Sequence, residues 1–250
     1  MRILVGYSGF VGKNLLNQKK FDYLLNSKNI DEIEGLPRNC DLYLSCLPAT
    51  KWLVNRNTKA DQENIENLLS RLSKNRYHNI YLISTIDIYC NSPLGSNEDL
   101  LPTFDHPSYG GNRFLFEDKV HHRLSYDNLK IFRLPALYGE HLKKNVIFDV
   151  LHDNNVDSIN TNSSYQWYDV SDLNSDIEKY ENDERMCFNL FPEPLPTPEL
   201  FRVLKANHTG SHGERVQYDY KTTLSPTGYI YSKEESLQKI KEFVDVFWSK

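Results

Sequence analysis

Tyr109 and Arg113 stand four residues apart at the start of a helical pattern, 24 residues after Thr85. At that spacing on a helix the two side chains share one face. An unperturbed phenol ionises near pH ~10 and is a poor base at neutral pH. A cation on the same face stabilises the phenolate and makes the tyrosine usable as an acid/base group. Arginine supplies that charge, although it cannot relay a proton by losing one of its own. Thr85, or its neighbour Ser84, is placed to hydrogen-bond a reacting oxygen and hold it in position. Asp87 follows two residues later, and on an extended strand end it faces the same side as Thr85. It is a second acid/base candidate, and a turn or capping role suits it equally well.

A binding function is written at the other end of the chain. Gly6, Gly9 and Gly12 follow the apolar run Ile3-Leu4-Val5 with the spacing G-x-x-G-x-x-G, and a helical pattern begins at once. The first glycine permits a sharp turn off a strand. The second keeps a Cβ away from a pyrophosphate, and the third lets helix and strand pack closely. The helix start then offers the N–H groups of Phe10, Val11 and Gly12, and a positive dipole end, to phosphate oxygens. Strand before and helix after make this a dinucleotide-binding turn, with an ordinary βα turn as the plain alternative.

The elements that must position these residues follow from periodicity. Strands are predicted at Arg2–Gly6, Phe21–Leu25, Asp41–Cys46, Asn79–Ser84, Leu129–Leu134 and Cys187–Leu190, with another at Tyr165–Val170. Helices are predicted from Thr58 to Lys74, where Ile65, Leu68, Leu69 and Leu72 recur on one face, from Ser108 to Leu124, and from Glu234 to Phe247. Strands alternating with helices give an α/β fold with a doubly wound parallel sheet, which binds ligands at the carboxyl ends of its strands. Residues 1–140 form the dinucleotide-binding core. Residues 141–250 form a smaller substrate-binding lobe interleaved with late core elements.

Composition removes other classes. With 39% hydrophobic and 25% charged residues, the 250-residue chain reads as an ordinary globular protein. Its net charge of −5 argues against general nucleic-acid binding. No apolar run approaches the ~20 residues of a membrane span, and none resembles a signal-peptide core. Cys40, Cys46, Cys90 and Cys187 form no C-x-x-C pair and read as reduced, mostly buried thiols of a cytoplasmic protein. The eight histidines show no metal-ligand spacing, and His121-His122 reads as a surface pair; no metal is expected.

Four ordered segments carry a resemblance: the glycine turn, Ser84-Thr-Ile-Asp-Ile-Tyr89, Tyr109-Gly-Gly-Asn-Arg113, and Arg133-Leu-Pro-Ala-Leu-Tyr-Gly139. Together they resemble the extended short-chain dehydrogenase/reductase family of nucleotide-sugar epimerases, dehydratases and keto reductases. Its pattern is G-x-x-G-x-x-G, S-S/T-x-x-x-Y, Y-x-x-x-K and R-x-x-x-x-Y-G. Trp167-Tyr-Asp-Val-Ser-Asp172 and Phe188-Asn-Leu-Phe-Pro-Glu193 are similar to its later segments, so the resemblance covers most of the chain. It implies a Rossmann-type fold, NAD or NADP as cofactor, and hydride transfer at a sugar carbon with Tyr109 as acid/base. Arg133 to Asn145 is similar to a capsule- or O-antigen-type branch, which implies a role in surface polysaccharide synthesis.

Arg113 departs from the family's lysine. Two readings stand: a working substitute that also reaches the cofactor ribose, or a cofactor-binding module with weakened or lost chemistry. On the first, Arg113→Lys retains activity. Ile86 replaces the acid found in 4,6-dehydratases, so reduction or epimerisation ranks above dehydration. The resemblance also implies cofactor contacts at Leu47 and Pro135, and substrate contacts at Ser84 and Asn145, with Lys143 or Lys144 as charge partners. Trp167 and Tyr168 could stack on a base or pack the lobe. An acid at the end of the second strand would favour NAD; Ser27 and Lys28 there lean towards NADP, while Asp31 keeps NAD open. The lobe is short for the family, so its pocket is either open or completed in a homodimer. The expected partner is a small nucleotide-sugar substrate, with no nucleic acid or membrane.

Overall fold

The computed structural model describes residues 1–206 and 213–249. The chain opens with β1 (Arg2–Val5), α1 (Phe10–Gln18), β2 (Tyr23–Leu25), β3 (Cys40–Leu44), α2 (Lys51–Arg56) and α3 (Thr58–Leu72). It continues through β4 (Arg76–Thr85), α4 (Tyr109–Arg123), β5 (Ser125–Leu134), β6 (Ala136–Tyr138) and α5 (Val146–Leu151). After β7 (Ser164–Tyr165), β8 (Trp167–Asp169) and α6 (Leu173–Tyr180) come β9 (Cys187–Asn189), β10 (Leu195–Pro196), α7 (Thr197–Val203) and α8 (Lys233–Trp248).

Six strands form one parallel sheet in the order β2-β1-β3-β4-β5-β9. Period-2 alternation sends Ile3 and Val5 to one face and Leu4 to the other, and both faces are covered. On the first face Ile65, Leu69 and Leu72 of α3 and Phe116 and Val120 of α4 pack against Leu42, Leu44, Ile80 and Leu82. On the second, Leu15 of α1 and Leu173 and Ile177 of α6 pack against Tyr43, Tyr81 and Phe132. This is the doubly wound arrangement expected. The strand order reverses between β1 and β3, so the ligand crevice of such a sheet opens beside Gly6 and Ser45.

The first half of the sheet is abbreviated, because only a 3-10 turn at Ile30–Gly35 links β2 to β3. The segment expected as one strand at Tyr165–Val170 is divided: β7 pairs antiparallel with β10, and β8 pairs parallel with β6. Gln166 causes the break. It is fully buried between them, donating to the carbonyls of Pro192 and Tyr220 and accepting from Tyr220 N–H. The lobe has its own core of Tyr138, Ile147, Trp167, Leu195, Leu200, Ile240 and Val244. Trp167 and Tyr168 are buried packing residues. α6 and β9 return to the main sheet from within the later half.

No helix among the described residues is long and apolar enough to cross a membrane. No cluster of His, Cys, Asp and Glu among them is arranged to hold a metal; His208 and His212 lie outside the described residues. Of the four free cysteines only Cys40 is buried, and Cys90 is exposed, which corrects the expectation of mostly buried thiols.

Candidate active site

The glycine turn is built as its spacing demands. Gly6 has φ +93°, a conformation that L side chains rarely adopt, and a Cβ there would lie 2.3 Å from the Ser45 carbonyl oxygen. A Cβ on Gly12 would lie 2.2 Å from the Gly6 carbonyl oxygen, so the first turn of α1 rests on backbone. Gly9 is the N-cap of α1. No side chain caps this end, and no acid lies in its first turn. The dipole end at Phe10, Val11 and Gly12 is therefore left without a side-chain anion beside the switch point.

On the next strands, β4 ends at Thr85, whose hydroxyl accepts from the N–H of Asp87 at 3.2 Å. Ser84 is turned elsewhere: its hydroxyl donates to Glu117, which forms a buried ion pair with Arg133 at 2.7 Å. Alternation along the strand separates the two hydroxyls, and Ser84 is the one bound to a buried carboxylate. The arginine and glutamate are structural, tying β5 to α4. Attraction to Glu117 holds the guanidinium above its ordinary value despite the opposing effect of burial.

Asp87 meets three segments of the chain. One of its carboxylate oxygens accepts from Lys51 Nζ of α2 at 2.7 Å and from the Tyr218 hydroxyl at 2.7 Å. Its carbonyl lies against the first turn of α4, where a Cβ on Gly110 would be 2.0 Å away. The glycine after Tyr109 is what allows this approach.

Tyr109 is the first residue of α4 and is 7% exposed. Ser108 caps the helix by accepting from Gly111 N–H at 3.1 Å, and Tyr109 N–H donates to Asn55 Oδ1 at 2.8 Å. Burial pushes the Tyr109 phenol above its ordinary value; Arg113 pulls it down and Asp87 pushes it up. The helical spacing thus brings Arg113 to the phenol as expected, but desolvation outweighs it and the phenol keeps its proton at neutral pH.

The Arg113 guanidinium lies over the Tyr109 ring, 4.6 Å from its centroid. Its two terminal nitrogens make three hydrogen bonds. They grip both oxygens of Asp61 at 2.8 and 3.2 Å, and one also donates to the Pro48 carbonyl at 2.8 Å. Both side chains of the pair are 5% exposed. Asn112 adds a bond to Asp61 at 2.9 Å, and Gln62 holds Asn112 at 2.9 Å. Arg113 Nε is buried and has no partner.

Sequence comparison is silent: no known family pattern matches the chain, and no curated protein is similar to it in sequence. Structure is not. UDP-glucose 4-epimerase from Thermotoga maritima, solved with UDP-glucose, superposes with a TM-score of 0.72 at 15% identity, covering 99% of this chain and 100% of that one. dTDP-4-dehydrorhamnose reductase from Bacillus anthracis, solved with NADP, gives 0.72 at 16% identity over 95% and 97%. UDP-N-acetylglucosamine 4-epimerase from Methanobrevibacter ruminantium, solved with UDP-N-acetylmuramic acid, gives 0.69 at 13% over 99% and 98%. This is the fold of the nucleotide-sugar epimerases and reductases. It is a Rossmann-type fold, and the chain spans it end to end.

Within that fold the remaining residues singled out from sequence fall at several places. Leu47 follows β3, half-buried, and Pro135 follows β5, buried. Ser27 and Lys28 are exposed in a turn that Asn26 and Asn29 organise. Asp31 is taken up by an ion pair with Arg71 of α3. Asn145 has φ +125°, caps α5 by accepting from Phe148 N–H at 3.0 Å, and donates to the Leu137 carbonyl at 2.7 Å. Its side chain is occupied at both ends inside the lobe. Lys144 reaches the Ala49 carbonyl at 3.2 Å, and Lys143 is exposed. Lys51, Asn55, Asp61 and Tyr218 belong to the site and were not singled out by motif.

Proposed function

We propose that the chain is an NAD(P)-dependent oxidoreductase or epimerase of the extended short-chain dehydrogenase/reductase type, acting on a nucleotide-activated keto sugar. What supports this reading is that Arg113 lies over Tyr109 on α4, whose first turn packs on Asp87 two residues beyond Thr85, while Arg113 also donates to Pro48, three residues beyond the Ser45 carbonyl that meets Gly6. Two features fit a dinucleotide: the α1 dipole end has no side-chain anion, and Arg113 Nε is a buried donor without an acceptor. Gly6, Gly9, Phe10, Val11 and Gly12 would hold the pyrophosphate, Leu47 and Pro135 the rings, and Arg113 Nε a ribose hydroxyl.

Bound there, the nicotinamide ring supplies or accepts the hydride. Thr85 holds the sugar oxygen. In reduction, Tyr109 gives its phenolic proton to the carbonyl oxygen as the carbon takes hydride, and solvent then restores the phenol. In the reverse direction Tyr109 takes the proton back. Arg113 supports the phenolate from its ring face. Asp87 is the second acid/base candidate, although its carboxylate is held by Lys51 and Tyr218.

The cofactor reading leans to NADP. Two features support this lean: Asp31 is paired with Arg71, and Lys28 stands exposed after β2. Lys28→Glu is expected to weaken NADPH binding by about tenfold or more while changing NADH binding little. Calorimetric titration of both cofactors checks this, and equal losses would remove the preference. We extend the reading to a cytoplasmic role in surface-polysaccharide biosynthesis. A homodimer that completes the short lobe's pocket is the form to look for by sedimentation.

A second reading has its own support. Because Arg113 is committed to Asp61 and Pro48, the chain would be a module that binds NADP(H) without turnover. Absorbance at 340 nm across UDP- and dTDP-linked keto sugars separates the two, run beside a cofactor-dependent thermal shift. Oxidation of NADPH supports the enzyme. A thermal shift without oxidation supports the module, and no shift with either cofactor refutes both.

A further inference from the structure

The acid/base pair has a cation that no motif announces. α2 is a surface segment: Trp52 and Leu53 are more than half exposed, and Val54 is its buried residue. Polar contacts fasten it to the site. Asn55 accepts from Tyr109 N–H at 2.8 Å, and Lys51, one helical turn earlier on the same face, donates to Asp87 at 2.7 Å. This docking places an ammonium over Asp87 where Asp87 packs on the first turn of α4. We propose that Lys51 is the cationic positioning residue of this site: by neutralising Asp87 it removes the negative charge that would oppose a phenolate on Tyr109. The role in turnover rests on the function proposed above.

Charge balance supports it. The groups facing the phenol are Arg113 on α4, paired with Asp61 of α3, and Asp87, paired with Lys51 of α2. Tyr218 bonds the same Asp87 oxygen as a neutral hydroxyl, and the Cys90 thiol lies beside the turn. Burial and the nearby Asp87 charge push both groups up, so neither adds a negative charge at neutral pH. With Lys51 present, two cations face two carboxylates. Without it the set sums to one negative charge, in a setting where burial already disfavours the phenolate. Arg113 cannot compensate, because its terminal nitrogens are held at fixed distances from Asp61 and Pro48. The Lys51 side chain is 49% exposed, so its loss leaves the core intact.

The test uses the full chain with 3,5-difluorotyrosine incorporated at position 109, whose phenol ionises well below that of tyrosine, and follows its fluorine resonance against pH. Lys51→Met is expected to raise the midpoint by about one pH unit. Lys51→Arg should hold it near the parent value, Asp87→Asn should lower it, and Lys51→Met with Asp87→Asn should return it towards the parent. A Lys51→Met shift no larger than that of the remote surface variant Lys241→Met would overturn the proposal. Where the protein turns over, Lys51→Met should lower kcat several-fold with KM for the cofactor unchanged, and Lys51→Arg should restore it. Absence of turnover in the parent refutes the enzymatic reading alone, because the titration still decides the role of Lys51.

Discussion

Asp61→Ala is expected to destabilise the chain by about 3–5 kcal/mol, because it strands the buried Arg113 guanidinium without its counter-charge. For a chain of this length that corresponds to a fall in Tm of roughly 10 °C. The loss should be far larger than for an exposed pair such as Lys74–Glu34, where both partners are about half exposed and the contribution is about 0–1 kcal/mol. Coupling is the decisive control. Replacing both members, Asp61→Leu with Arg113→Met, should recover most of the stability, since the pair's attraction largely offsets its own desolvation. Differential scanning fluorimetry on the parent, Asp61→Ala and the double variant reads this directly. A single-variant loss below about 1 kcal/mol would show that the pair is open to water and that Arg113 is not fixed by it.

The same geometry sets a stability expectation for Arg113→Lys. By motif the exchange looks conservative, a return to the family's own residue. In the structure the fork spans both Asp61 oxygens and the Pro48 carbonyl. An ammonium is a compact charge and cannot keep all three contacts while staying over the Tyr109 ring. Arg113→Lys should therefore lose about 2 kcal/mol of stability, with cofactor affinity falling alongside. Unchanged stability would mean that the lysine ammonium reaches Asp61 by another route.

Much of the scaffold was legible because its signals are local. The apolar run before Gly6 and the stripe of Ile65, Leu69 and Leu72 each encode an element in consecutive residues. Ser84 and Thr85 were ambiguous as residue types, and strand alternation gives their hydroxyls different partners. Asp61 did leave a trace. It stands four residues before Ile65, so the apolar face of α3 begins with an acid, and a carboxylate on a buried face requires a cation. What the sequence could not name was the partner, 52 residues away on α4. Lys51 and Tyr218 left none: one lies on an exposed six-residue helix and the other in the C-terminal half, 131 residues beyond the carboxylate it binds. Asn145 is a case where the motif did not show the local role. Its motif suggested a ligand contact, and its side chain serves the helix it caps.

Tyr109→Phe carries the largest expected effect on activity. Removing the hydroxyl deletes the proton that a carbonyl oxygen must receive, and loss of a positioned general acid lowers kcat by about 10²–10⁴-fold. The phenylalanine ring preserves the stacking surface for Arg113, so folding and cofactor affinity should change little. The pH dependence follows from the direction in which the phenol is held. Burial raises it above its ordinary value, so the protonated form that reduction requires is present throughout the neutral range and is lost as pH rises through the raised value. Sugar reduction should therefore be flat at neutral pH and fall on the alkaline side. Oxidation in the reverse direction, which needs the phenolate, should climb over the same interval. In Tyr109→Phe both alkaline limbs should disappear from the residual rate. A mutant that keeps the parent's alkaline limb would transfer the acid role to another group, with Asp87 the first to examine. One that loses cofactor binding with turnover would instead make Tyr109 a binding residue.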